Sequence, residues 1–200
     1  MKLIVGLGNP GSNYIGSRHN IGFSAVKALS RKYKIPLKKE RGILSLSGKG
    51  KIEGSFILLA LPLTFMNLSG IAVSALLRKY KIDLPRPCAQ ERGLSDLLVV
   101  CDDLDLKFGA VRIRPSGSSG GHRGLKSVIG CLGSQEFCRL RIGIGRPQGA
   151  VVDSADYVLA PFDKKEKEKI KEIIERACDC CRSWVSEGLT ESMNIFNRSN

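Results

Sequence analysis

The stretch that most constrains the fold lies at the start of the chain: KLIVGLGNPG, then SNYIG, then SRHNIGF. Leu3 to Leu7 is an apolar run that predicts a buried strand, and Gly6, Gly8, Pro10 and Gly11 end it in a tight loop. The apolar spacing of Ile21, Ala25, Val26, Leu29 and Tyr33 then predicts a helix over about 20–34. His19 and the carboxamides of Asn9 and Asn20 therefore stand on a loop at the carboxyl end of a strand. That edge is where open α/β sheets bind ligands.

The glycines at 6, 8 and 11 also fit G-x-G-x-x-G, the dinucleotide fingerprint. The fingerprint needs a helix opening on its third glycine and an acidic residue about 20 positions on. Here the helix starts after His19, the first acid is Glu40, and Pro10 removes an amide donor. A dinucleotide-dependent oxidoreductase is thus a weak alternative.

Further strands are predicted at 43–47, 56–61, 97–101, 111–114 and 139–144, and helices at 69–81, 123–132 and 163–187. The last opens on a capping-box pattern, Asp163-x-x-Glu166, and carries Ile170, Ile173, Ile174, Ala177, Cys181, Trp184 and Val185 on one stripe, so it should pack on the body. A short segment at 190–196 closes the chain. Strands mixed with helices over 200 residues predict one α/β domain, with residues 83–95 (DLPRPCAQERGLS) as an exposed insertion. No apolar run reaches transmembrane length, and Met1-Lys2 leads into a strand rather than a signal peptide, so a cytoplasmic protein is expected. Seven cysteines, an odd number, predict free thiols, with the C-x-x-C of Cys178 and Cys181 read as helix packing.

Three loops carry groups able to do chemistry: Asn9, Tyr14 and His19 after the first strand; Asn67 in PLTFMNLSG; and Asp102-Asp103-Leu104-Asp105. If their strands are parallel neighbours, the loops converge on one edge. A carboxylate beside His19 would fix its tautomer and leave the other ring nitrogen to deprotonate water, while asparagine amides could stabilise an oxyanion. This suits hydrolysis of an activated acyl group without a covalent intermediate, since no serine or cysteine sits in a G-x-S-x-G elbow. Duller readings compete: Asn67 as a helix cap, the aspartates as turn residues. His19 and His122 lack metal-ligand spacing, so no metal is expected.

Charge names the partner. Net charge is +13, and residues 107–149 hold eight Lys/Arg against Glu136 alone. Residues 163–187 hold seven of each sign. A basic middle beside a balanced terminal helix predicts a polyanionic partner, nucleic acid before membrane. Arg112 and Arg114 share a strand face, as do Arg139 and Arg141. Between them PSGSSGGHRGLKS offers amides and a helix N-terminus to phosphate, with His122, Arg123 and Lys126 nearby.

Taken together, KLIVGLGNPGSNY, RHNIGF, LPLTFMNLSG, DDLDLKFG, GGHRGLKS, RLRIGIGRP and YVLAPF, in this order from residue 2 to 162, resemble the bacterial peptidyl-tRNA hydrolases. The resemblance implies a monomeric single-domain α/β protein of the phosphorylase/hydrolase-like kind, with a twisted, largely parallel mixed sheet flanked by helices. It implies a carboxylic ester hydrolase that splits peptide from tRNA without cofactor or metal, in translation and ribosome rescue. On that pattern His19 is the base and Asp102 its orienting carboxylate. Asn9, Asn67, Met66, Tyr14 and Arg123 would contact substrate, and Arg114 and Arg141 would grip the tRNA's 5′-phosphate. Arg123 stands where many members carry asparagine, and Cys101 where a histidine is common. The family also includes a plant organelle splicing factor, so a catalytically silent RNA-binding protein is the second alternative.

Overall fold

The computed structural model describes residues 1–82, 96–147 and 153–198, so the expected 83–95 insertion and Cys88 lie outside the described residues. Among the described residues seven strands form one sheet: β1 (Lys2–Gly6), β2 (Lys38–Lys39), β3 (Ser45–Ile52), β4 (Ser55–Pro62), β5 (Leu97–Asp103), β6 (Val111–Arg114) and β7 (Cys138–Gly143). Their order is β2-β3-β4-β1-β5-β7-β6. β4, β1, β5 and β7 run parallel, whereas β2, β3 and β6 are antiparallel to their neighbours. The mixed, largely parallel α/β sheet is thus as the sequence predicts. β1 lies between β4 and β5, so all three candidate loops leave neighbouring parallel strands at the same edge.

The helices that flank the sheet are α1 (Ile21–Lys32), α2 (Ser69–Tyr80), α3 (Arg123–Leu132), α4 (Ser154–Leu159), α5 (Lys164–Ser186) and α6 (Leu189–Phe196). Successive strand residues face opposite layers. Ile4, Leu59, Val100 and Leu140 join α1, α5 and α6 in one buried cluster. Leu3, Val5, Leu58 and Val99 join α2 and α3 in the other. The second cluster takes no strand residue from β6 or β7. There the face that would meet a helix carries arginines instead: Arg139 is level with Val99, and Arg114 and Arg112 oppose Arg139 and Arg141. The result is a basic shelf beside α3.

The fingerprint glycines have a packing explanation. A Cβ on Gly6 would lie 2.3 Å from the Gly22 carbonyl oxygen, and one on Gly8 2.6 Å from the Phe23 ring. They let α1 close onto β1, and α1 starts at Ile21, ten residues past Gly11. On α5 the capping box is complete, with Glu166 N donating to Asp163 Oδ1 and Asp163 N to Glu166 Oε2, each at 2.7 Å. Cys178 and Cys181 are unpaired and buried, and burial pushes the Cys178 thiol up to about 11. No helix among the described residues is long and apolar enough to cross a membrane.

Candidate active site

His19 and Asp102 meet. A one-turn 3-10 helix, Arg18–Asn20, puts His19 directly before α1, and β5 carries Asp102 to the same edge. Nδ1 of His19 lies 2.9 and 3.0 Å from the two carboxylate oxygens of Asp102. With Nδ1 committed, Nε2 is the ring nitrogen left for a proton from substrate or water.

His122 completes the set. Its Nε2 lies 3.0 Å from Asp102 Oδ1, and its Nδ1 accepts from the amides of Gly124 (3.0 Å) and Leu125 (3.2 Å) as the N-cap of α3. Two N–H donors on Nδ1 oblige Nε2 to carry the proton, so His122 donates to Asp102. Burial works to raise the pKa of Asp102, but the electrostatic pull and hydrogen bonds of the His122 and His19 imidazoles outweigh it and hold the carboxylate below its ordinary range. Asp102 is therefore an anion held by two imidazoles.

Sequence spacing offers no reason to group these residues, yet ligand atoms of His19, Asp102 and His122 lie within 4.8 Å of one another. The hydrogen bonds decide how the cluster reads. His122 has its only unprotonated nitrogen in the α3 cap, which leaves it none with which to coordinate a cation. The cap takes the Gly124 and Leu125 amides, so those two groups of the expected phosphate-binding helix N-terminus are already bonded within the fold.

The asparagines divide by role. Asn9 N donates to Asn20 Oδ1 (2.7 Å), and Asn20 Nδ2 returns bonds to the carbonyls of Asn9 (3.0 Å) and Tyr14 (2.9 Å). Asn20 thus ties the first loop into shape. Asn9 Oδ1 accepts from Met66 N at 2.8 Å, which turns its Nδ2 loose among the described residues. Asn67 is exposed in the turn Met66–Leu68, and α2 begins with Leu68 as its N-cap and no side-chain cap bond. The capping reading of Asn67 is therefore wrong. Its side-chain amide makes no hydrogen bond among the described residues.

One cleft of about 870 Å³ is lined by Asn9, Tyr14, His19, Met66, Asn67 and Asp102, and also by Arg114, Arg123 and Arg141. Every expected site residue faces it. The arginines differ, however. Arg141 is paired with Asp103. Arg139 is buried and donates to the carbonyls of Gly117, Ser118 and Gln135, holding the Gly/Ser loop from beneath. Asp103 also accepts from Asp105 N (2.8 Å), so the turn reading holds for that aspartate beside its ion pair.

Arg18 was not legible as a site residue. It is buried beside His19, stacks 4.2 Å from the Tyr157 ring centroid, and donates to Pro161 O (2.8 Å) and Glu166 Oε2 (2.6 Å). It fastens the His19 turn to the segment of α4, whose Val158 and Leu159 wall the cleft.

A histidine–carboxylate pair at the carboxyl edge of a mixed α/β sheet is an arrangement found in hydrolases, where an oriented imidazole can take a proton from water. The comparisons name the family. The peptidyl-tRNA hydrolase family model matches residues 3–200. A peptidyl-tRNA hydrolase of Desulforudis audaxviator is 46% identical over 197 residues, spanning 98% of this chain and 93% of that protein. One of Brevibacillus brevis is 45% identical over 198 residues, spanning 98% of each. The crystal structure of peptidyl-tRNA hydrolase from Acinetobacter baumannii superposes with a TM-score of 0.87 at 36% identity, covering 99% of this chain and 95% of that one. This chain belongs to the peptidyl-tRNA hydrolase family.

Proposed function

We propose that this chain hydrolyses the ester joining a peptide to the terminal ribose of tRNA, with His19 as the base and Asp102 as its orienting carboxylate. His19 Nε2 takes a proton from water, and the water oxygen attacks the ester carbonyl carbon. Asn9 Nδ2 and Asn67 supply N–H groups to the developing oxyanion. The tetrahedral intermediate collapses by breaking the bond to the ribose oxygen, which takes the proton back from His19. Peptide leaves with a free carboxylate and tRNA with a free hydroxyl. Met66 and Tyr14 wall the reacting group, and the cationic end of the cleft receives RNA.

The observation that carries this reading is the contact of His19 Nδ1 with both Asp102 oxygens. A cytosolic monomer is part of the proposal; unpaired thiols at all six cysteines among the described residues support a reducing compartment. The test is incubation of the purified chain with N-blocked aminoacyl-tRNA, following release of deacylated tRNA, with and without a chelator. Turnover that His19→Ala lowers by about 10²-fold or more is expected. A folded His19→Ala variant that turns over normally overturns the assignment, and RNA binding without cleavage by the unmodified chain would indicate a silent relative.

A further inference from the structure

Five arginines line the cleft, and the fold accounts for three. Arg141 pairs with Asp103, Arg146 with Asp105 at 2.6 Å, and Arg139 is spent on carbonyls. The cleft carboxylates are likewise taken: beyond Asp103 and Asp105, Asp102 serves the histidines and Asp153 accepts from Ala155 N at 2.9 Å. The side chains of Arg114 and Arg123 are exposed and make no hydrogen bond or ion pair among the described residues. They are the cleft arginines, among the described residues, whose guanidinium groups the fold does not use.

Their positions give them different work. Arg123 adjoins His122, whose Nε2 touches Asp102, so it stands one residue from the reacting pair. The first turn of α3 has no acidic residue, so its charge is opposed by the helix dipole and offset by nothing among the described residues. Arg114 ends β6 opposite Arg139, which is level with Val99, three residues back from Asp102 along β5. At about 3.3 Å per residue that is about 10 Å further along the basic shelf. The loop between the two arginines is pinned by Arg139, which fixes their separation.

We propose that Arg123 binds the phosphodiester immediately preceding the esterified ribose, while Arg114 meets a different tRNA phosphate further along the basic shelf. The proposal rests on the peptidyl-tRNA reading of this site and deepens it. It gives Arg123 an anion-binding role in place of the neutral contact an asparagine would make. A guanidinium matches phosphate geometry with paired donors.

The test is equilibrium binding of a short fluorescent RNA with the single-stranded 3′ end of tRNA, its last phosphodiester either native or replaced by a neutral methylphosphonate. The unmodified protein should bind the neutralised RNA about fivefold more weakly at low salt, the upper end for an exposed charge contact. Arg123→Ala should bind native RNA about fivefold more weakly and no longer distinguish the two RNAs. Arg114→Ala should still distinguish the two RNAs. The proposal is overturned if Arg123→Ala keeps the preference, or if the unmodified protein shows none or binds neither RNA. Because the RNA is already deacylated, failure to cleave peptidyl-tRNA would sink the proposed reaction without altering this comparison.

Discussion

Replacing Asp102 by asparagine tests the centre of the mechanism, because His122 dictates how the new amide must sit. The Gly124 and Leu125 amides hold His122 with its proton on Nε2, 3.0 Å from Asp102 Oδ1. The oxygen of the introduced carboxamide must therefore stay at the Oδ1 position, which puts its NH₂ at the Oδ2 position, 3.0 Å from His19 Nδ1. There it either faces an N–H or donates to Nδ1, drawing the His19 proton to Nε2 and removing the base. Misplacing that proton should forfeit the contribution of general-base catalysis, about 10²–10⁴-fold in kcat, with KM little changed. Loss of charge on the acceptor weakens its hydrogen bonds, for a stability cost of about 1–3 kcal/mol. The assay is single-turnover release of tRNA from N-blocked aminoacyl-tRNA, with a urea melt alongside. Asp102→Asn activity within about threefold of the parent, in a folded protein, would refute the tautomer argument, since the smallest loss expected is about 10²-fold.

Other perturbations act through the same contacts. Stability should respond to acid through Asp102: its carboxyl is depressed in the fold, so its contribution is complete above the ordinary value of 3.8 and disappears as pH falls towards the lower folded value. Asp102→Asn should flatten that limb of a denaturation-versus-pH curve. Arg18→Met should cost about 2–3 kcal/mol in a urea melt, since it removes the charged donor from the part-buried contact with Glu166 and the side-chain donor of the Pro161 carbonyl; a loss below about 0.5 kcal/mol would remove the latch. Gly22→Ala should cost at least about 3 kcal/mol, because its Cβ would lie 2.4 Å from Val100 O and 2.7 Å from Leu7 O.

What could be read from sequence follows from which interactions are periodic. The central strands are apolar runs buried on both faces, and they were visible; so was the α5 stripe, where Ile173, Ala177, Cys181, Trp184 and Val185 are buried. β3 runs on through Gly48-Lys49-Gly50-Lys51, a stretch without strand propensity. Its glycines are needed because Cβ atoms at Gly48 and Gly50 would strike Pro36 and Ile35, a tertiary constraint. α4 is six residues long, too short for a helical period to show. A meeting of His19 with a carboxylate of the 102–105 segment is legible if the strands are parallel neighbours, but Asp102 is singled out from Asp103 and Asp105 only by the family resemblance. His122 was not legible, because its part depends on both ring nitrogens finding partners 2 and 20 residues away.

The bonds that keep α3 capped and those that keep His19 oriented form one chain. The Gly124 and Leu125 amides point at His122, His122 points at Asp102, and Asp102 fixes His19. Two substitutions can separate the links. Asparagine is among the preferred N-caps, so His122→Asn can still accept from the α3 amides, but its side chain is too short to reach Asp102 as well. Alanine can do neither. If the imidazole does no more than cap the helix, the asparagine variant should match the parent in both stability and kcat, and the alanine variant should lose about 1 kcal/mol. If it also holds the carboxylate, asparagine should preserve most of the stability yet lower kcat by about tenfold, the equivalent of roughly 1.4 kcal/mol of lost orientation. Amide exchange at Gly124 and Leu125 reports the cap, and single-turnover cleavage reports the carboxylate. An asparagine variant with parental kcat would cut the chain at His122 and leave the His19–Asp102 pair to stand alone.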